Sequence, residues 1–350
     1  MKPKVYFILS SFRGGGAEKV FRLLAQAFDK NLFEATIVLL STSDSFFSTK
    51  LEGVRVVDLG TVKASKSFYK VWELLRREKP KVVFSTGGQV NLLIACVSFF
   101  LRDIKFIARP TNQDNSKFLS LKAKILSPFT KYMYGRFDKV VCQSKEIMEY
   151  MRERHHLPSG KLCIIPNPIA ESEYIKENHS DQIKRLIVVA RLTPQKGIQR
   201  LVDIFSTLPD YYHLTIVGDG ILKDEIHRQI RTLNLSSRVF LVGMVKNIPQ
   251  MLSTQDIFVL PSFIEGFPNV VIESLSVGVP VIAFKVGGIS EILTDGFNGY
   301  VVDRDDINDF KCKILLSTKT MWDYAQIKLD VHSRFNLDLV TRKYESLILN

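Results

Sequence analysis

The sequence predicts an α/β protein that is built from two doubly wound domains. The chain has 350 residues, and a globular domain usually contains about 100–200. Short β-branched segments alternate with longer amphipathic ones, which is the pattern of β–α–β units around a parallel sheet. This alternation stops in a polar, proline-containing stretch at 166–182 and then begins again. We therefore expect two α/β lobes with a central cleft between them.

The first half contains six predicted strands with helical segments between them. The strands are expected at 4–10, 35–40, 54–59, 81–85, 105–109 and 138–144, and helices at 17–28, 67–78 and 92–101. The last of these helices is the most apolar window of the chain, but its ten residues are half of the roughly 20 that span a bilayer. We expect it to be a buried helix.

The second half repeats the pattern with five predicted strands. They are expected at 185–191, 213–218, 238–243, 256–261 and 279–284, with helical segments in the gaps. The predicted domains are residues 1–170 and 171–330.

The composition excludes several classes of protein. Hydrophobic residues make up 46% and charged residues 24%, which excludes a disordered or collagen-like chain. The four cysteines form no CxxC pair, so neither a zinc site nor a disulfide framework is expected: Cys96, Cys142, Cys163 and Cys312. The N-terminal segment lacks the apolar core and cleavage site of a signal peptide. These features favour a reducing cytoplasm.

The net charge of +12 lies entirely in the first half. Residues 1–175 contain 28 Lys and Arg against 16 Asp and Glu, whereas residues 176–350 contain 20 against 20. Such an asymmetry indicates an anionic partner, which could be nucleic acid, acidic lipid or a phosphorylated substrate.

Residues 116–137 account for much of this charge. They contain five cations and no acids, and Phe and Tyr residues lie between the cations. This composition suits an anionic membrane surface, although a core helix with a cationic polar side would look the same. No nucleic-acid-binding motif accompanies the charge, so a nucleic-acid partner is not expected.

A glycine-rich loop at 10–20 (SSFRGGGAEKV) follows the first strand and opens a helix. Its glycines permit close backbone approach, and the helix N-terminus offers N–H groups to an anion. The loop either faces a phosphate or sugar or is a structural tight turn. NAD binding is disfavoured because the GxGxxG spacing is missing and the second strand does not end in an acid.

Two cations follow the first strand of the second half, in VVARLTPQKG at 188–197. Arg191 and Lys196 lie where open α/β sheets bind ligands, so they could neutralise a diphosphate. An exposed basic loop is the alternative interpretation.

Two carboxylates flank a helix start in LPSFIEGFPNVVIESLSVGVPVIAF at 260–284. Glu265 lies in the loop before a helix predicted at about 270–277, and Glu273 lies within that helix. Carboxylates accept hydrogen bonds from sugar hydroxyls. Alternatively, Glu265 interacts with the helix dipole, and Glu273 belongs to a solvated face.

Several motifs now point to one family. Glu265 and Glu273 form an E-x7-E pattern, which PS precedes and GVPVIA follows. Other motifs occur in family order: GGAE (15–18), IPNP (165–168), RLTPQKG (191–197), VGDG (217–220) and the glycine-containing segments of 287–299. Each is weak alone, but together they strongly resemble the retaining glycosyltransferases of family 4 over nearly the whole chain.

The resemblance implies the GT-B fold, with two Rossmann-like domains that face a central cleft. The second domain would hold a nucleotide-sugar donor, the first would bind the acceptor, and a C-terminal helix at 331–350 would pack back on the first domain. Arg191 and Lys196 would neutralise the donor diphosphate, Glu273 would bind the ribose, and Glu265 would bind the transferred sugar. The remaining donor-binding residues would be Gly14 and Gly15 of the first domain and Gly266, Phe267, Pro268, Asn269 and Val270 of the second.

The resemblance also places Arg109 and Asn112 on the acceptor side. Many members carry a histidine in this loop (IARPTNQD), whereas this chain resembles a subset of bacterial surface-polysaccharide transferases. Asn112 joins Glu265, Arg191 and Lys196 as a candidate catalytic residue. No histidine falls at a motif, and His155 and His156 are expected to face solvent. Retention is expected through front-face attack, in which the leaving phosphate helps to take the acceptor proton.

No metal and no cofactor besides the nucleotide-sugar co-substrate is expected. Asp303 and Asp305 form a D-x-D sequence, which is the metal signature of another glycosyltransferase fold, but their position before a helix favours N-capping.

We therefore predict a cytoplasmic, peripheral enzyme at the inner face of the plasma membrane. It would move a hexosyl or N-acetylhexosaminyl group, with retention, from a UDP-sugar to a lipid-linked or glycan acceptor in surface-polysaccharide synthesis. One alternative is a nucleotide-sugar 2-epimerase of the same fold, which needs no acceptor. Another is a non-catalytic sugar- or lipid-binding module, against which the intact set of charged motif residues argues.

Overall fold

The computed structural model describes residues 2–43, 45–46, 48–61, 66–111, 132–177, 179 and 182–349. The chain divides into two compact units, each built on one parallel sheet. Unit 1 comprises Met1–Ala170 and Leu337–Asn350, and unit 2 comprises Glu171–Asn336. The prediction of two doubly wound, Rossmann-like domains is confirmed.

Unit 1 contains a seven-stranded sheet in the order β3-β2-β1-β4-β5-β6-β7. Its strands are β1 Lys4–Leu9, β2 Glu34–Leu39, β3 Arg55–Asp58, β4 Val82–Thr86, β5 Lys105–Arg109, β6 Lys139–Cys142 and β7 Leu162–Ile164. Its first helices are α1 Gly16–Ala27, α2 Phe68–Glu78, α3 Gly88–Ser98 and α4 Lys145–His155.

Unit 2 contains a six-stranded sheet in the order β10-β9-β8-β11-β12-β13. Its strands are β8 Lys184–Val189, β9 Tyr212–Val217, β10 Val239–Gly243, β11 Ile257–Leu260, β12 Val281–Phe284 and β13 Gly299–Val302. Its helices are α5 Ile198–Ser206, α6 Lys223–Thr232, α7 Ile248–Ser253, α8 Asn269–Leu275, α9 Ile289–Ile292, α10 Ile307–Ser317 and α11 Tyr324–Phe335.

All eleven predicted strands are present, and two short ones, β7 and β13, were not predicted. These two contain only three and four residues, too few to show a hydrophobic pattern. The helix expected at 92–101 is α3, which begins four residues earlier and ends at Ser98. Its apolar window continues beyond the helix end, so Phe99 and Phe100 are exposed instead of buried.

The core of unit 1 covers both faces of its sheet, because side chains of a strand alternate between the faces. Val5, Phe7 and Leu9 of β1 pack on one face, and Tyr6 and Ile8 pack on the other. No helix in the described part of the chain combines the length and apolarity of a membrane-spanning segment.

The predicted C-terminal helix at 331–350 is divided between two helices. The helix α11 ends at Phe335 in unit 2, Asn336 is extended, and α12 Leu337–Leu349 belongs to unit 1. The ring of Tyr344 in α12 lies 5.4 Å from that of Phe84 in β4, which places α12 against the sheet face that α1 also covers.

Candidate active site

The site of unit 2 lies where its strand order reverses, between β8 and β11. Open α/β sheets bind ligands outside the carboxyl ends of the strands at such a switch point. Arg191 and Lys196 follow β8, and Ser262 and Glu265 follow β11. The topology thus brings together two segments that are about 70 positions apart in the sequence.

Lys196 and Glu265, which were predicted separately, form one ion pair. The Lys196 Nζ donates to Glu265 Oε1 at 2.7 Å and to Oε2 at 2.9 Å, and the Ser262 hydroxyl donates to Oε1 at 2.6 Å. Only 8% of Glu265 is exposed. A buried carboxylate needs such partners, because an unpaired charge in the interior is strongly destabilising. The three side chains therefore hold a defined arrangement.

Two glycines permit close backbone contacts with the loop at 261–266, which carries Glu265. Gly197 has a φ of +64°, and a Cβ there would lie 2.1 Å from the Pro261 carbonyl oxygen. Gly287 has a φ of +56°, and a Cβ there would lie 2.5 Å from the Gly266 oxygen and 2.6 Å from the Glu265 oxygen. Any side chain at either position would displace the backbone that carries Glu265.

Arg200 in the first turn of α5 holds the same loop by its carbonyls. Its Nε donates to the Pro261 oxygen at 2.7 Å, and its Nη2 donates to the Ser262 oxygen at 2.8 Å. The guanidinium carbon lies 3.8 Å from the ring centroid of Phe263 and 3.9 Å from that of Phe284. Burial lowers the pKa of Arg200 to about 10. Arg200 therefore positions the turn whose Ser262 hydroxyl contacts Glu265.

The aspartates of the D-x-D segment have separate roles. Asp305 accepts a hydrogen bond from Arg200 Nη1 at 3.1 Å, and Asp303 lies 4.0 Å from the Lys285 ammonium. The capping role predicted for Asp303 and Asp305 belongs to Asp306, which accepts a hydrogen bond from a backbone N–H in the first turn of α10. Within the described ranges, no three His, Cys, Asp or Glu residues are grouped as metal ligands would be.

The other predicted donor-site residues of unit 2 differ in exposure. Arg191 is exposed, whereas Glu273 is buried within α8, so the alternative that it belongs to a solvated face is wrong. In the predicted segment 266–270, Gly266, Phe267 and Pro268 are buried, and Asn269 and Val270 are half-buried. The Phe267 ring packs 5.8 Å from that of Phe335, so its side chain is part of the core.

The glycine-rich loop of unit 1 carries its own anion. Gly14 N donates to Glu18 Oε2 at 2.9 Å, and Gly15 N donates to the same oxygen at 3.0 Å. The Glu18 carboxylate therefore occupies the N–H groups that were predicted to approach the donor diphosphate. A ligand phosphate would have to displace this side chain to reach these two amides.

Arg109 lies in the interior of unit 1, at the end of β5, and only 3% of it is exposed. Its Nη1 donates to Thr86 Oγ1 at 3.2 Å, and its Nη2 donates to Asn167 Oδ1 in the IPNP segment. Burial lowers the pKa of its guanidinium. These contacts favour a structural role over the predicted acceptor contact. Asn112 lies outside the described residues.

The predictions for the histidine pair and for the basic segment of unit 1 have different outcomes. His155 was expected to face solvent, but it is buried, with its ring 4.8 Å from that of Tyr134; His156 is exposed. His155 occupies the last position of α4 and faces the core because of its helical phase. Most of the basic segment 116–137, residues 116–131, lies outside the described residues.

Two protein-family descriptions match consecutive parts of this chain. Glycosyltransferase Family 4 matches residues 14–173, and Glycosyl transferases group 1 matches residues 171–319. The chain belongs to the family 4 glycosyltransferases.

Relatives of this family 4 glycosyltransferase come from diverse organisms. An uncharacterized glycosyltransferase of Methanocaldococcus jannaschii is 30% identical over 63% of the chain, and the match spans 59% of that protein's length. A Campylobacter jejuni α-1,4-N-acetyl-D-galactosaminyltransferase, named for a diNAcBac-PP-undecaprenol-linked substrate, is 27% identical over 87% of the chain and 85% of its own length. Anabaena HepE, crystallised with UDP, superposes with a TM-score of 0.81 at 21% identity, and 99% of each chain is covered. The structural likeness shows the GT-B fold.

Two residues that build the site of this glycosyltransferase, Arg200 and Ser262, are not among the site residues predicted from the sequence. The signal for Arg200 was present, because a cation is unfavourable in the first turn of a helix and needs a specific reason to be there. In the sequence, Ser262 stands out only as part of the PS motif. Nothing in the local sequence indicates that its hydroxyl contacts Glu265.

Proposed function

We propose that this glycosyltransferase moves a hexose or N-acetylhexosamine from a UDP-sugar to a lipid-linked or glycan acceptor in surface-polysaccharide synthesis. The proposal depends above all on the Lys196–Glu265 pair, which Ser262 holds at the switch point of the second sheet. A cation next to a buried carboxylate at this edge provides one group for a phosphate and one for sugar hydroxyls.

Lys196 and Arg191 are proposed to neutralise the donor diphosphate. The Lys196 ammonium has three N–H donors, so it can contact a phosphate oxygen while it stays close to Glu265. Glu265 then accepts hydrogen bonds from hydroxyls of the transferred sugar. The choice of UDP is supported by HepE, whose structures are described in complex with UDP and with UDP-glucose.

We propose that the reaction retains the anomeric configuration. The bond between the sugar C1 and the diphosphate oxygen breaks, and the acceptor oxygen bonds to C1 on the same face. The acceptor proton passes to the leaving phosphate, so no covalent enzyme nucleophile takes part. Lys196 and Arg191 would stabilise the negative charge that develops on the departing UDP, and this proposed reaction assigns no role to a metal ion.

The acceptor is proposed to be attached to a lipid at the inner face of the plasma membrane. The Campylobacter relative, which is named for an undecaprenol-linked substrate, supports a lipid-linked acceptor. The five cations and interleaved aromatic residues of 116–137 suit the surface of such a membrane.

The first test of this proposal is calorimetric titration of the protein with UDP, GDP and NAD in EDTA. We expect UDP to bind, and Lys196→Ala to weaken its binding about 10- to 100-fold, because a charge-assisted hydrogen bond is lost. Lys319→Ala is the matched control, since Lys319 is an exposed lysine of unit 2 beyond the end of α10. Binding of UDP only with added manganese, or binding of NAD alone, would contradict the proposed donor site.

Glu265→Gln separates sugar recognition from nucleotide binding. UDP carries no sugar to be transferred, so this variant should keep its UDP affinity and lose transfer from a UDP-sugar. The same assay distinguishes an epimerase, which would release an isomerised sugar nucleotide without any acceptor. A transferase needs a membrane extract or purified lipid-linked acceptor before the donor is consumed.

A further inference from the structure

In the described part of unit 1, four large aromatic side chains are exposed, and they are here called the aromatic face. They are Tyr69 in α2, Phe99 and Phe100 after α3, and Tyr132, whose exposed fractions are 63%, 43%, 66% and 68%. Burying such side chains in an apolar medium is favourable, so their exposure in one region usually marks an interaction surface. None of them belongs to the candidate active site.

Ring and cation contacts connect neighbouring parts of the aromatic face. The Phe68 ring, next to Tyr69 in the chain, lies 5.9 Å from the Phe100 ring. The guanidinium of Arg136 lies 4.3 Å over the Phe99 ring and donates to the Ser98 carbonyl oxygen at 3.4 Å. Arg136 belongs to the same turn as Tyr132, because the turn at 132–137 is closed by backbone hydrogen bonds. Phe100 is therefore in contact with Phe68 of α2, and Phe99 with Arg136. Tyr69 follows Phe68 in the chain, and Tyr132 begins the turn that contains Arg136.

The surroundings of the aromatic face are cationic. In the segments 68–78, 99–105 and 132–137, the cations are Lys70, Arg76, Arg77, Arg102, Lys105 and Arg136, and the acids are Glu73, Glu78 and Asp103. Glu78 is already paired with Lys4 at 2.9 Å. The Arg76 guanidinium lies 5.2 Å from the Trp72 ring, so aromatic and cationic groups are interleaved as in Arg136–Phe99.

The charge and the chain connection both favour an anionic lipid surface as the occupant. Aromatic rings prefer the interface between lipid headgroups and acyl chains, and arginines reach from there to the phosphates. The sequence of 116–131 adds four lysines and no acids, and it leads directly into Tyr132. A partner of this chemistry complements both the aromatic rings and the positive charge.

We infer that the aromatic face docks on an anionic bilayer, with Tyr69, Phe99, Phe100 and Tyr132 in the interface and the neighbouring arginines on lipid phosphates. This inference rests on the proposed function for its setting, since a lipid-linked acceptor lies in a membrane. It adds Tyr69, Phe99 and Phe100 to the membrane contact proposed for the basic segment 116–137, to which Tyr132 and Arg136 belong.

Vesicle sedimentation tests this inference with the full chain. Wild-type protein should bind vesicles of phosphatidylcholine mixed with phosphatidylglycerol, and bind vesicles of phosphatidylcholine alone more weakly. The triple variant Tyr69→Ser, Phe99→Ser, Phe100→Ser should reduce binding to the mixed vesicles by at least about tenfold, because apolar area no longer enters the interface. The matched control replaces three exposed apolar residues of unit 2 with serine: Leu316, Met321 and Leu329.

Tryptophan quenching by brominated lipid locates the contact. The chain has two tryptophans, Trp72 beside the aromatic face, with its ring 5.8 Å from that of Tyr69, and Trp322 in unit 2. Vesicles with brominated acyl chains should quench Trp72 in a Trp322→Phe variant and leave Trp322 in a Trp72→Phe variant unchanged. Equal quenching of both, or none of Trp72, would overturn the inference.

Other results would distinguish docking of the aromatic face on a bilayer from contact through the basic segment or with a second copy of the chain. Wild-type vesicle binding by the aromatic triple variant would overturn the inference and leave the basic segment as the membrane contact. Concentration-dependent dimers that the triple variant abolishes, without any vesicle binding by the wild type, would show that a second copy covers the face, and would also overturn it. Urea unfolding of the triple variant in a Trp322→Phe background, followed by Trp72 fluorescence, reports the folding of unit 1. If the wild-type protein binds vesicles but does not bind UDP, the result would count against the proposed function alone.

Discussion

Arg200 offers a sharp test of what holds the Glu265 loop in place. Replacing it with methionine keeps an apolar chain between the rings of Phe263 and Phe284 but removes the guanidinium. The carbonyl oxygens of Pro261 and Ser262 then lose donors at 2.7 and 2.8 Å. We expect a large loss of stability in unit 2, although the substitution removes a single, partly exposed cation.

The magnitude follows from these contacts. A hydrogen bond to a charged group contributes about 1.5–3 kcal/mol, and two such bonds are lost. Cation–π contacts add about 0.5–1 kcal/mol each, and methionine recovers part of the packing. We therefore expect the free energy of unfolding to fall by about 3–5 kcal/mol, a large share of the roughly 5–15 kcal/mol of a typical domain. Arg200→Lys should lose about half as much, because a compact ammonium cannot reproduce the planar fork.

The control removes the third partner of Arg200. Asp305 is exposed and accepts at 3.1 Å, so Asp305→Ala should cost less than about 1 kcal/mol. Urea unfolding is followed by the fluorescence of Trp322 in a Trp72→Phe background, because Trp322 is then the single tryptophan and lies in unit 2. A loss below about 1 kcal/mol for Arg200→Met, or equal losses for the Arg200 and Asp305 variants, would refute the reasoning.

Two further predictions concern unit 1. Arg109→Met should lower the free energy of unfolding by about 2–4 kcal/mol, because the buried Thr86 and Asn167 lose their donor. Urea unfolding followed by Trp72 fluorescence measures this free energy. A loss under about 1 kcal/mol would contradict the buried network. The hydrogen bond from the Lys4 ammonium holds the pKa of the Glu78 carboxyl below its ordinary value of 4.5, so its stabilisation is present above that value and is lost as the pH falls through the lower folded-state pKa. Glu78→Gln should therefore cost about 0.5–1 kcal/mol near neutral pH and almost nothing near pH 2, and an equal cost at both would be evidence against this pair.

Most of the strands could be predicted because buried parallel strands are continuous apolar runs, and KVYFILS or DIFVLP shows this directly. The strand β13 escaped prediction because it has four residues and begins at Gly299. The helix α3 was misplaced because its apolar window continues through Phe99 and Phe100. Hydropathy cannot show that these two rings lie beyond the helix end, where they are exposed.

The site could be predicted only in part, for a similar reason. Motifs indicated Lys196 and Glu265 one by one, since each lies at a recognisable strand end. The family resemblance placed Arg109 on the acceptor side, and its burial was not expected because an arginine is rarely buried. Its burial results from Thr86 and Asn167, which are 23 and 58 positions away.

The sequence alone determined the α/β class, the division into two units and the family. These properties depend on local patterns, namely strand and helix periodicity and motifs of a few residues at strand ends. The tertiary structure alone decided which distant groups meet: Lys196 with Glu265, and Arg200 with the carbonyl oxygens of Pro261 and Ser262. These pairings depend on the order of the strands in the sheet and on the close backbone approach that Gly197 and Gly287 permit. Both are features of the three-dimensional fold, and no local sequence pattern encodes them.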